Sequence, residues 1–179
     1  MNSKLAKDQI YKFSLPAFLT CSGAGGCLDY CYMLRVYRLR GAVAWCAHWR
    51  NYELSLLDGF ADLALAELRA RPYIKILRWM DSGDVYSQSM LDKIEAVAVG
   101  SPEVFHYCYT KALKLDWSRF KALKNTKVIQ SDGGRWSIDR RSPHALVLDQ
   151  GARIPVGYVD ASASDLVALK HNRIALYRR

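Results

Sequence analysis

The sequence of 179 residues predicts an α/β fold: a single domain over residues 1–179, built as a partial or open (β/α) barrel with mainly parallel strands. Three observations lead there. Helical and extended segments alternate along the chain, the pattern of parallel strands joined by crossover helices. The extended segments are short apolar runs closed by polar turns. Their number is too small for a closed eight-stranded barrel, which takes about 250 residues.

Taken in order, residues 1–9 are polar and read as a loose leader without the apolar region of a signal peptide. Residues 10–19, IYKFSLPAFL, read as extended, because Pro16 fits neither a helix interior nor a central strand. Residues 20–31, TCSGAGGCLDYC, form a glycine-rich loop. Glycine backbone can wrap closely around a ligand. A helix is expected from Tyr32 to Ala47 and a second from Tyr52 to Ala70. In the second, Leu54, Leu57, Ala61, Ala64, Leu65 and Leu68 make one apolar stripe, and Pro72 closes it.

Residues 73–79, YIKILRW, read as a strand, and DSGD as the turn after it. Ser87 or Ser89 is placed to cap a helix through Val99, which Gly100-Ser101-Pro102 stops. A strand at 103–109, a short helix at 116–123 and a strand at 127–131 follow. Further strands are expected at 145–148 and 155–159, then a turn at 160–164 and a short helix. No repeat, low-complexity tract or linker interrupts the chain.

The composition, 51% hydrophobic and 24% charged, is that of a folded chain rather than a disordered one. No run approaches the roughly 20 apolar residues of a membrane span. The expectation is therefore no membrane partner and a cytoplasmic protein. The net charge of +9 favours acidic partners, including nucleic acid, anionic cofactors or a host protein. No Lys/Arg run exceeds two residues, so the competing reading is charge for solubility alone.

Cys21, Cys27 and Cys31 fall within eleven residues, in the spacing C-x5-C-x3-C. Five cysteines, an odd number clustered this way, make a poor disulfide framework and a better metal site. Thiolates are soft ligands, and a short loop can aim three of them at one centre. An iron–sulfur cluster is the leading reading. Zinc, with a His or water as fourth ligand, competes, although His48, His106, His144 and His171 are scattered. A third reading makes the cysteines buried small hydrophobes. Cys46 and Cys108 are read as packed residues of a helix and a strand.

Ligands of parallel α/β folds bind at the C-terminal strand ends. Ser82-Gly83-Asp84 lies at such an end. Asp84 is placed to accept from a ligand ammonium and Gly83 to let backbone approach; the competing reading is a helix-entry turn. Lys111, able to meet a carboxylate, and Ser131, able to meet a hydroxyl, end the next two strands.

The runs SLPAFLTCSGAGGCLDYCY, ILRWMDSGD, FHYCYTKAL and TKVIQSDGG resemble a bacteriophage family called gene product 88, over roughly residues 10–165. That family in turn looks like a reduced relative of radical S-adenosylmethionine (SAM) enzymes. The resemblance implies a [4Fe-4S] cluster on Cys21, Cys27 and Cys31, with Tyr30 or Tyr32 as its aromatic neighbour. It implies SAM as cofactor, with Ser82, Gly83 and Asp84 in place of a Gly-Gly-Glu turn and Ser131 near the ribose. The sequence departs from the C-x3-C-x2-C spacing of those enzymes. The expectation is a minimal radical-SAM-like iron–sulfur protein with an unidentified substrate, in the host cytoplasm if phage-encoded. The alternative is a non-catalytic Fe–S or zinc protein that binds nucleic acid or a host protein.

Overall fold

A computed structural model describes residues 3–178. Its centre is one sheet of seven strands in the order β1-β2-β3-β4-β5-β7-β6, with every neighbouring pair parallel. The strands are β1 (Tyr11–Phe13), β2 (Ile76–Trp79), β3 (Phe105–Thr110), β4 (Thr126–Ser131), β5 (His144–Leu148), β6 (Val159–Asp160) and β7 (Arg173–Tyr177). The sheet stays open, as expected of an α/β chain too short to close a barrel.

Parallel strands need long crossovers, and the helices that make them bury both faces of the sheet. On one face, Leu77, Trp79, Cys108 and Val128 pack against α3 (Phe60–Ala70), α4 (Gln88–Gly100) and α5 (Ser118–Ala122). On the other, Tyr107, Ile129, Ala145 and Ile174 pack against α1 (Ser3–Lys7) and α6 (Asp165–Lys170). The alternation of side chains along β3 explains the split: Tyr107 faces one core and Cys108 the other. Ser87 caps α4 by accepting from the Met90 amide at 3.2 Å, as its position before the apolar stripe predicts.

Several expectations need correction. Residues 1–9 are not a loose leader: α1 forms there and Leu5 is buried against Ile10; Met1 and Asn2 lie outside the described residues. The expected strand at 155–159 shrinks to Val159–Asp160, because a turn occupies the preceding residues and places Gly157 at φ +85°. The C-terminal residues, where no strand is expected, contain β7, whose Ile174 and Ala175 are buried between β5 and β6. The helix expected over 52–70 is broken before Phe60, so Leu54 and Leu57 leave the stripe and are exposed.

The largest departure is α2 (Tyr32–Leu56), which bends back on itself at Gly41, φ +49° and ψ −137°. A straight helix would hold Tyr37 and His48 about 16 Å apart along its axis. Instead, their rings lie 5.8 Å apart and the Tyr37 hydroxyl is 3.0 Å from His48 Nδ1. Residues 32–40 and 42–56 are thus two arms of a helical hairpin. Only a residue without a Cβ adopts the Gly41 conformation at low cost.

Within the core, the Trp79 indole donates to His106 Nδ1 at 3.2 Å, and His106 Nε2 lies 3.0 Å from Ser101 Oγ. Ser101 Oγ donates onward to the Val97 carbonyl at 2.6 Å. Nδ1 accepts, so the neutral ring carries its proton on Nε2. Burial pushes the His106 pKa down to about 4. The folded state therefore binds this proton less readily than the unfolded chain, so the stabilisation is complete above about pH 6.5 and is lost as pH falls toward 4. We expect denaturant titrations to give about 2–3 kcal/mol less stability at pH 4.5 than at pH 7 from this residue. His106→Gln should flatten that part of the pH profile; an unchanged slope in the variant would contradict it.

Candidate functional site

The C-terminal ends of the strands turn toward one side of the sheet, and a cavity of about 270 Å³ lies there. Cys21, Cys27 and Cys31 all line it, together with Tyr32, Ser82, Gly83, Asp84, Lys111 and Ser131. Every site residue expected from the sequence thus borders a single cavity. All three cysteines are half-buried free thiols.

Backbone contacts fix the cysteine loop over the strand ends. Cys27 N donates to the Gly133 carbonyl at 2.9 Å, Arg135 N donates to the Gly23 carbonyl at 2.8 Å, and Ala24 forms an antiparallel bridge with Gly134. The approach is so close that a Cβ on Gly23 would lie 1.9 Å from the Lys111 carbonyl oxygen, and one on Gly25 would lie 2.7 Å from the Gly134 carbonyl carbon. Gly26, by contrast, faces open space. Two of the three loop glycines therefore serve contact with neighbouring backbone rather than room for a ligand. Tyr30 and Tyr32, on either side of Cys31 in the sequence, both line the cavity. Arg178 packs over the Tyr30 ring at 4.1 Å, and the Tyr32 hydroxyl donates to the Asp81 carbonyl.

Asp84 is buried and accepts three hydrogen bonds from the protein: Thr110 Oγ1 at 2.7 Å, Lys111 N at 2.7 Å and Val85 N at 2.8 Å. Burial pushes its carboxyl above the usual range, and these donors oppose the shift. The carboxylate joins the β2 turn to the end of β3. At Gly83, φ +74°, a Cβ would meet Thr20 Oγ1 at 2.3 Å. The close approach there is made by the chain's own segment 15–20. Lys111 Nζ donates to Ser131 Oγ at 2.8 Å, which joins the ends of β3 and β4.

Sequence reasoning missed the cavity floor. Asp165, fully buried, accepts from Arg78 at 2.8 Å and from the Tyr107 hydroxyl at 2.6 Å, and pairs with Lys4 at 2.6 Å. Burial works to raise its carboxyl, but Arg78, Lys4 and the Tyr107 hydrogen bond outweigh that and hold it below the usual range. Arg78 also pairs with Asp81 at 3.5 Å, and Asp81 with Lys12. The readable signal was Arg78 itself, a cation inside an apolar strand. Four buried polar atoms of residues lining this cavity find no hydrogen-bond partner among the described residues: Ser82 Oγ, Tyr109 Oη, Arg78 Nε and Arg178 Nε. Such atoms cost free energy unless a ligand or water satisfies them.

Burial pushes the Cys21 thiol up to about 11, with Asp84, Cys31 and Cys27 adding to the rise and a backbone hydrogen bond at Phe18 opposing it. A thiol so placed stays protonated until a cation displaces the proton. Among the described residues, no group of three or more His, Cys, Asp or Glu side chains is arranged to hold one metal ion. Cys108 is buried in the core, as expected, whereas Cys46 is exposed on α2 rather than packed.

The fold and site define a class: an open parallel α/β protein with a thiol-bearing cavity at the C-terminal edge of its sheet. Within it, the chain belongs to the Gene product 88 family, whose model matches residues 1–178. No curated protein and no solved structure matches it. Among the described residues, no helix is long and apolar enough to cross a membrane.

The loop contacts are directly testable. Gly23→Ala should cost about 1–3 kcal/mol in chemical denaturation and expose the three thiols to alkylation, whereas Gly26→Ala should change neither. Equal behaviour of the two variants would contradict the docking described.

Proposed function

We propose that this chain is an iron–sulfur protein in which Cys21, Cys27 and Cys31 ligate a [4Fe-4S] cluster and the rest of the cavity binds a SAM-type cofactor. The observation that carries the reading is that three half-buried thiols from one loop share a single cavity with residues from three successive strand ends. A bound cluster would supply electrons for reductive cleavage of the cofactor's sulfonium bond, the chemistry implied by the resemblance to radical SAM enzymes.

The chain's own groups have definite tasks in this reading. Tyr30 and Tyr32 are the aromatic neighbours of the cysteines in the cavity, and Arg178 packs over Tyr30. Ser82 Oγ, Tyr109 Oη, Arg78 Nε and Arg178 Nε are polar atoms placed to meet a cofactor. Lys111 positions Ser131 through their hydrogen bond. Asp84, held by three internal donors, orients the turn instead of serving mainly as a receptor for an ammonium group. Lys4 and Arg78 are paired by Asp165 and Arg178 by Asp149, so Lys111, beside Ser131, is the lining cation placed to meet a cofactor carboxylate.

The alternative, a non-catalytic Fe–S or zinc protein that binds nucleic acid or a host protein, omits cofactor cleavage. Anaerobic reconstitution with iron and sulfide separates the two. We expect brown protein absorbing near roughly 400 nm, loss of that colour in Cys21→Ala, Cys27→Ala and Cys31→Ala, and formation of 5′-deoxyadenosine from SAM under a strong reductant. Colour without 5′-deoxyadenosine would leave the non-catalytic protein. Colourless protein carrying one zinc per chain would overturn the cluster and leave the non-catalytic zinc protein.

A further inference from the structure

The α2 hairpin stands apart from everything the cavity explains. Of its residues, only Met33 and Ser55 are buried. The hairpin contains four arginines, Arg35, Arg38, Arg40 and Arg50, and a single carboxylate, Glu53, which accepts from the Trp49 indole at 3.1 Å. All four are exposed, and none has an acidic partner among the described residues. Along the second arm, Trp45 and Trp49 stack at 5.9 Å with an interplanar angle of 26°, each about two-fifths exposed. Tyr37 braces Trp45 from the first arm at 5.2 Å, and Tyr52 braces Trp49 at 5.7 Å. A chain normally covers such rings or omits them.

We propose that this hairpin is a binding platform for single-stranded nucleic acid. Guanidinium groups without internal partners supply phosphate contacts, and rigid, half-exposed aromatic rings supply stacking surfaces for bases. Charge decides among the occupants. A second copy would bring four arginines against four arginines. A lipid surface fits the exposed Leu39 and Val43, but Arg40 sits between them at the tip, so insertion would carry a guanidinium into hydrocarbon. A polynucleotide uses both the charges and the rings. The first arm begins directly after Cys31, which lines the cavity, so a strand lying along it would reach the cavity mouth. The proposal does not depend on the cluster, because no hairpin residue from Leu34 to Leu56 lines that cavity.

The test is fluorescence anisotropy with labelled single-stranded DNA and RNA of about 20 nucleotides, titrated with the full chain from about 50 to about 200 mM KCl. We expect binding whose log–log salt slope is about −3, as four phosphate contacts on a single strand give. Arg38→Gln/Arg40→Gln should roughly halve that slope, and Trp49→Leu should weaken binding at least about fivefold. These positions are exposed, and unchanged circular dichroism will confirm that the fold persists. Arg153→Gln, an exposed control outside the hairpin, should bind as the parent does. Flat titrations at the lowest salt would overturn the proposal, as would parental binding by the hairpin variants. Binding confined to phosphatidylserine vesicles or to polyglutamate would assign the hairpin to a membrane surface or an acidic protein instead, and so would also overturn it.

Discussion

Close packing of peptide backbone holds the candidate site together. Gly23 and Gly25 let the cysteine loop lie directly against the chain after β3 and β4, at separations no side chain tolerates. The amide of Cys27 is fixed by the Gly133 carbonyl within this contact. Three cysteines on a loose loop would sample many arrangements. Here their position is set by the sheet itself, because the surfaces they dock on are strand ends. The ordering entropy of the loop is thus met during folding rather than at the moment of binding.

Beneath the loop, alternating charges brace the cavity. Lys4, Asp165, Arg78, Asp81 and Lys12 form a chain of ion pairs that ties α1, α6 and β2 together. Charges this deep are costly unless paired. Asp165 meets that demand with two cations and a tyrosine hydroxyl, and its low carboxyl pKa follows from them. Among the described residues, Arg78 Nε, Arg178 Nε, Tyr109 Oη and Ser82 Oγ stay buried and unmatched beside the cavity. The fold thus satisfies its ionic groups with each other and leaves hydroxyl and guanidinium edges for what binds there.

The sheet and most of the site were legible in the sequence because their signals are local. YIKILRW, EVFHYCY and KVIQS are apolar runs with polar ends, and a parallel sheet brings such ends to one edge by topology alone. Knowing that, Ser82, Asp84, Lys111 and Ser131 could be gathered beside Cys21, Cys27 and Cys31 without coordinates. The floor was not legible, because Lys4, Arg78 and Asp165 meet only through pairings across the whole length of the chain. Nor was the role of the loop glycines, since a glycine kept for backbone contact reads the same as one kept for a ligand. Gly41 stood within a helical pattern, where its reversal has no local marker beyond the missing side chain. β7 went unread because Arg173 and Tyr177 frame only three apolar residues inside a basic tail.

The central claim is that the three thiols serve one multi-iron centre. Mössbauer spectroscopy of protein isolated without oxygen from cells grown on iron-57 tests it most directly. Our account predicts the paired-iron signature of a four-iron cluster, with one iron distinguishable from the other three because only three cysteines are in reach. A mononuclear iron signal, or iron that persists unchanged when all three cysteines are replaced by alanine, would contradict it.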